Sequence, residues 1–233
     1  MKLPARTLVI AAHPDDEVLG CGATMARIAT EGGIVQTIFL ADGESSRFSQ
    51  SEIKSQLVAN KINARKAAAN SAALILGSLP PKFFDLPDNR LDTIPRLDII
   101  KIIENEIHEF QPFRVITHYS GDLNIDHQLI YEAVAVATRP QGEDVVKEIL
   151  SFEVPSSTEW RTSESAQTFC PNLFVEAKKY LNQKLAALNA YELELREFPH
   201  PRSEEAVISL MKWRGSNSSL QLAEAFLLTR GVY

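Results

Sequence analysis

The chain has 233 residues, 45% hydrophobic and 23% charged, with a formal net charge of −6. That is long enough to bury a substantial core, and ordinary for a globular chain, but it supplies no broad basic face for nucleic acid. No apolar run nears the roughly 20 residues that cross a bilayer, the N-terminal apolar stretch gives out at His13, too soon for a signal peptide, and two distant cysteines, Cys21 and Cys170, make no disulfide framework, so a reducing cytoplasm is expected.

In chain order, Leu8–Ala12 reads as a buried strand and Glu17–Thr30 as a helix with Val18, Leu19, Met25 and Ile28 on one face, closed by Gly32-Gly33. Val35–Leu40 is a second strand. Ala41–Gln50 is a polar loop with Asp42-Gly43 as its turn signal. From Ser51 to Leu76 the pattern is helical and Ala-rich, stopped by Gly77 and Pro80-Pro81. Phe83–Asp92 is irregular and carries Asp85, Asp88, Asn89, Arg90 and Asp92. An amphipathic helix over Ile94–Phe110, a strand over Val115–His118, an Asp-rich loop and a helix over His127–Ala137 follow. Beyond Arg139 the signal weakens: strands at Glu148–Val154 and Leu173–Glu176, a helix over Ala177–Arg196 and a short one over Ala206–Trp213. This alternation predicts an α/β fold, a doubly wound, mostly parallel sheet with helices on both faces. With no linker or repeat, residues 1–233 are read as a single domain.

Two clusters stand at strand ends, where open α/β sheets bind ligands. His13-Pro14-Asp15-Asp16 follows the first strand, and Asp122-Leu123-Asn124-Ile125-Asp126-His127 follows the strand ending at His118. Residues three apart on a turn entering a helix point the same way, so His13 and Asp16 can converge on one ion. Pro14 restricts the turn. Asp15 then lies beside the ion without ligating it, kept ionised by the positive end of the helix. With His127 as third ligand the set is two histidines and one carboxylate with open positions, which lets zinc activate water and polarise a carbonyl. Ferrous iron suits the same set. Read singly, each cluster could be a helix cap, with Asp15 or Asp16 at one helix and Asn124 or Asp126 at the other. Together they point to a metal-dependent hydrolase.

Ala12-His13-Pro14-Asp15-Asp16-Glu17 with downstream Asp126-His127 resembles the PIG-L (LmbE-like) family of zinc-dependent deacetylases, which act on N-acetylglucosamine-type sugars. The resemblance extends to the Rossmann-like order of elements, to Asp42-Gly43 and to the terminal Ala223-Glu224-Ala225-Phe226. It implies His13, Asp16 and His127 as ligands of Zn2+, with another divalent metal such as Fe2+ left open, and Asp15 as general base. The family often has a histidine three residues before the last ligand, where this chain has Asn124; an amide donates a hydrogen bond but carries no charge. Asp126 is expected to orient a neighbour.

Arg65 lies where the family often places a substrate-binding arginine, against the reading of a solvated helix face shared with Lys61 and Lys66. Arg47 and Asn89 are the other expected sugar contacts. His118 reads as a structural hydrogen-bonder, His108 and His200 as surface or loop residues, Cys21 as tight packing, and Arg202 as part of a loop signal, not counted among the substrate contacts. The expected partner is a small amino-sugar substrate, with neither nucleic acid nor an integral membrane segment, and homo-oligomerisation left open. The alternatives are an amidase of thiol or other conjugates on the same metal site, and a non-catalytic α/β module binding a nucleotide or sugar. Against the last, the first strand–helix turn lacks Gly-x-Gly-x-x-Gly and carries acid where a phosphate needs amides.

Overall fold

Seven strands hydrogen-bond into one sheet in the computed structural model, which describes residues 5–141, 145–162 and 168–233. They are β1 (Arg6–Ala11), β2 (Ile34–Ala41), β3 (Lys82–Leu86), β4 (Arg114–His118), β5 (Glu148–Phe152), β6 (Leu173–Glu176) and β7 (Ala223–Gly231), in the order β3-β2-β1-β4-β5-β7-β6. The first five run parallel, and β7 lies antiparallel between β5 and β6. The helices are α1 (Asp16–Thr30), α2 (Gln56–Leu76), α3 (Arg96–Phe110), α4 (Ile125–Ala137), α5 (Leu181–Asn189) and α6 (Glu204–Ser216). The expected doubly wound α/β architecture is therefore present.

Side chains alternate across a strand, and β1 divides accordingly. Val9 and Ala11 join one core with residues of α1, α2, α5 and α6, while Leu8 and Ile10 join a second core with α3 and α4. Each face of the sheet thus buries its own apolar layer, and the two layers share the strands between them. No helix of the described residues is long and apolar enough to cross a membrane.

Several boundaries differ from the sequence reading. The segment read as irregular from Phe83 contains β3, a short edge strand. The terminal Ala223–Gly231 is a strand, although its Ala and Glu content carries no strand pattern at its start. Helix α2 begins at Gln56 rather than Ser51, because the Ser55 hydroxyl accepts from the Val58 N–H and caps it there. Helix α6 runs longer than expected, capped by Ser203. The stretch read as one helix over Ala177–Arg196 keeps only α5, preceded by a 3-10 turn, and the chain beyond Asn189 is free of helix until α6.

Helix α1 is kinked at Cys21, whose φ and ψ of −146° and 19° are not helical. The amides released by the kink are taken by Glu224 of β7, which accepts from Ala23 N–H at 2.9 Å and Thr24 N–H at 2.7 Å. Lys184 of α5, almost wholly buried, donates to the freed Leu19 carbonyl at 2.8 Å and to Glu224 at 2.6 Å. The first turn of α1, with Asp16, follows directly on β1, whose sheet neighbour β4 is followed by α4. There the chain leaves adjacent strands toward opposite faces, the position at which open α/β sheets take ligands.

Candidate active site

Four strand ends supply the polar cluster. His13, Asp15 and Asp16 follow β1; Asp42 and Glu44 follow β2; Asp88 follows β3; Asp122, Asp126 and His127 follow β4. His13, Asp16 and His127 are buried and offer ligand atoms all within 4.8 Å of one another. Asp16 Oδ2 lies 3.3 Å from His13 Nδ1 and 3.3 Å from His127 Nε2, and accepts the His13 backbone N–H at 2.9 Å. Asp16 Oδ1 is buried with no hydrogen-bond partner, and neither ring nitrogen of His127 has an aligned one. Orphaned buried acceptors and imidazole nitrogens converging on one point fit a divalent cation of the zinc type.

The histidines are oriented from behind. His127 Nδ1 lies 3.1 Å from Asp122 Oδ1, and Asp122 is itself held by the hydroxyls of Ser157 and Thr158. His13 Nε2 lies 2.9 Å from Asp88 and 3.1 Å from Asp126. Asp126 also accepts the N–H groups of Asn89 and Leu91, tying the loop after β3 to the start of α4. His118 accepts the Ala12 N–H at 2.8 Å and stacks on His127 with ring centroids 3.8 Å apart. Burial pulls the imidazoles down, but the surrounding carboxylates reverse this. His127 is carried up to about 9 by Asp16 and Asp122, and His13 well above its ordinary value by Asp126, Asp16 and Asp88. Burial and the neighbouring His127 push His118 the other way, so it stays neutral. Burial raises the Asp16 carboxyl, yet His127 and His13 hold it well below the usual range. The pocket demands positive charge, which protons or a metal ion can supply.

Asp15 stands apart from this set. Its backbone has φ 127°, a region non-glycine residues rarely occupy and one that recurs at functional sites. The Asp15 N–H donates to Glu17 Oε2, and Glu17 accepts the Tyr191 hydroxyl at 2.7 Å on its other oxygen. Burial raises Glu17 to about 8. Asp15 Oδ2 accepts from Arg202 at 2.8 Å and Arg65 at 3.2 Å, whereas Oδ1 is buried with no partner. Burial pushes the Asp15 carboxyl up, and Arg202 and Arg65 partly offset that push. Arg65 also donates to the carbonyls of Pro14 and Gly43 and pairs with Glu44 and Glu194. Glycine suits position 43, where φ is 73° and a Cβ would lie 3.0 Å from the Arg65 Nε.

The structure brings His13, Asp16 and His127 together, and His13 with Asp88 and Asp126, while Asp15 is buried next to Asp16 in the chain. Arg65 does not lie on a solvated face. It is buried and fully engaged beside Asp15, so its guanidinium is directed at the chain's own carboxylates. Arg47 is half-exposed and bidentate on Glu194. Asn89 is exposed, with φ 52°, and its side-chain carbonyl accepts from Asn124 Nδ2 at 3.0 Å. Asn124 caps α4, its Oδ1 accepting the Asp126 N–H at 2.8 Å, as the capping reading expected. Sequence reasoning missed Glu194, hidden in an apparent helix, and the ties of Asp88, Asp122 and Arg202. Only the proximity of Asp88 to Asn89, and of Asp122 to His127, hinted at two of these.

A doubly wound sheet with two histidines and a carboxylate converging at its switch point, and a further carboxylate next to them in the chain, is an arrangement able to hold a metal ion. Residues 8–138 match the family model of the GlcNAc-PI de-N-acetylases, PIG-L, and the chain belongs to this family. A curated relative, the uncharacterized deacetylase YaiS of Escherichia coli K12, is 31% identical over 192 residues, covering 79% of this chain and 89% of the relative. Among solved structures, the N,N'-diacetylchitobiose deacetylase of Pyrococcus horikoshii superposes with a TM-score of 0.76 at 20% identity, covering 99% of this chain and 87% of that one. GalB, the 4-carboxy-2-hydroxymuconate hydratase of Pseudomonas putida, superposes at 0.74 with 23% identity, covering 98% of each. At such identities these two structures establish a shared fold, and the family and the curated relative indicate deacetylase activity.

Proposed function

We propose that the chain is a metal-dependent de-N-acetylase that hydrolyses the acetamide of an N-acetylglucosamine-type sugar or its conjugate, releasing acetate and a free amine. The observation that carries this reading is the buried, partnerless Oδ1 of Asp15 beside the convergent His13, Asp16 and His127. His13, Asp16 and His127 would hold the metal. When bound, a divalent ion of the zinc class supplies a Lewis acid that acidifies water and polarises an amide carbonyl.

The rest falls to the protein. Asp15 takes the proton of the attacking water on Oδ1 while Arg65 and Arg202 keep Oδ2 occupied. The C–N bond then breaks, and the same proton passes from Asp15 to the leaving nitrogen. Asn124, with one Nδ2 hydrogen on Asn89, offers its other to the developing oxyanion. Asp126 and Asp88 hold His13 in place. Arg47 and Asn89, at the exposed margin, are assigned to sugar hydroxyls, and Arg65 is reassigned from substrate binding to holding Asp15. Residues 1–233 act as one domain, because Glu194 and Arg202, both beyond the family match, reach the Arg65–Asp15 pair.

The test is a panel of N-acetylglucosamine-containing compounds and simple peptide amides, offered to the zinc-loaded protein with release of primary amine measured. Sugars are expected to react. In parallel, Asp15→Asn should keep its metal and lose rate by about 10²- to 10⁴-fold, while His127→Ala should lose the metal. Turnover of the peptide amides with none of the sugars overturns the reading.

A further inference from the structure

Arg202 reaches Asp15 across 187 residues of sequence. Its Nη1 lies 2.8 Å from Asp15 Oδ2, its Nε donates to Ser156 Oγ at 2.7 Å, and its backbone N–H donates to His200 Nδ1 at 3.1 Å. Glu194 closes a ring of alternating charge. Its Oε1 lies 3.1 Å from Arg65 Nη1 and its Oε2 3.6 Å from Arg202 Nη1, while Arg65 Nη2 approaches Asp15 Oδ2 at 3.2 Å. Two guanidinium groups therefore converge on one oxygen of Asp15, and the other oxygen is left bare.

A lone aspartate side chain rotates freely about its Cβ–Cγ bond and presents either oxygen. Charge-assisted bonds from two directions remove that freedom. The strained backbone at Asp15 sets the direction of Cβ but not the orientation of the carboxylate plane. Arg65 by itself reaches Oδ2 with a single Nη, whereas Arg202 approaches from the opposite end of the chain and is braced by Ser156 and His200.

We propose that Arg202 is a positioning residue for Asp15, fixing the carboxylate so that Oδ1 alone is presented to the reacting water. The proposal rests on the reading of Asp15 as base. It does not need Arg202 as a substrate anchor: Nη1 and Nε are engaged with Asp15 and Ser156.

The experiment takes Arg202→Ala, Arg202→Lys and Ser156→Ala in the full chain, each measured for metal content, kcat, KM and the Asp15 rotamer in a crystal structure. In Arg202→Ala the Asp15 carboxylate should rotate or split between rotamers with zinc content unchanged. Its kcat should fall about 10- to 100-fold, the scale of a misplaced reacting group, with KM little changed and part of the loss recovered by added guanidinium. Ser156→Ala should show the same change more weakly, and lysine should restore little, because an ammonium cannot span Asp15 and Ser156 together. An Asp15 rotamer unmoved in Arg202→Ala, or a defect confined to KM, overturns the proposal. Should Arg202→Ala not fold, Ser156→Ala and Arg202→Lys decide by the same readouts. Full activity in Asp15→Asn would instead sink the base reading, a result separable because the rotamer readout needs no turnover.

Discussion

Asp122 Oδ1 lies 3.1 Å from His127 Nδ1 while Asp16 Oδ2 lies 3.3 Å from the opposite nitrogen of the same ring. One imidazole is thus held between two carboxylates, one behind it and one at the centre. Anchored by Ser157 and Thr158, Asp122 sets the plane in which His127 meets the cluster. Carboxylates behind metal-bound histidines typically contribute 10- to 100-fold in affinity. Asp122→Ala is therefore expected to weaken zinc binding by about that factor without unfolding the chain, measured by competition against a chromophoric chelator. An unchanged affinity removes Asp122 from the site.

The observed cap and the proposed oxyanion role of Asn124 separate experimentally. As the cap of α4 its oxygen holds the Asp126 N–H, and losing such a cap costs about 0.5–2 kcal/mol. As an oxyanion donor its loss costs no more than about 10²- to 10³-fold in rate. Asn124→Ala should show both losses, by denaturant melt and by kcat, with metal content intact. A stability loss with full kcat reduces Asn124 to a cap alone.

Glu224 and Lys184 form a buried pair that satisfies the kink in α1. Removing one partner leaves a buried charge uncompensated, a loss of about 3–5 kcal/mol, and here it also orphans two amides. Glu224→Ala should be destabilised on that scale in urea. The pairing of Glu224→Gln with Lys184→Met should recover much of the loss. A shift of less than about 1 kcal/mol for Glu224→Ala shows that α1 holds its kink without the pair.

Glu194 links acid sensitivity to the arginine cluster. Burial raises its carboxyl, but the hydrogen bonds from Arg47 and the charges of Arg65 and Arg202 carry it below the usual glutamate value of about 4.3. A depressed carboxylate contributes stability that is present above its unfolded pKa and is lost as pH falls through its folded one. Wild type should accordingly exceed Glu194→Gln in stability near neutral pH, with the gap closing as the solution is acidified below about pH 4. Urea midpoints against pH read this directly. A gap that stays constant through the acid range assigns the contribution of Glu194 to something other than its charge.

Much of this architecture is local and so legible in the chain. Short apolar runs such as Leu8–Ile10 can bury both faces inside a sheet, and the amphipathic stretches between them can cover that sheet as helices, so the doubly wound order follows from periodicity. His13 and Asp16 share a turn, and their convergence needs nothing beyond their spacing. Other features depend on how distant elements pack. From sequence Arg65 reads either as a substrate contact or as part of a solvated face with Lys61 and Lys66; that it is buried against Asp15, Glu44 and Glu194 depends on packing with the chain beyond α5. The kink in α1 is marked in sequence only by Gly20 and Gly22 on either side of Cys21, and the groups that satisfy it come from Lys184 and Glu224, far along the chain. Arg202 follows a loop signal, His200-Pro201, with no periodicity to show which way it points. Hydrophobic patterning selects the face an element buries, but the meeting of two charged side chains 187 residues apart is decided by close packing of the folded chain.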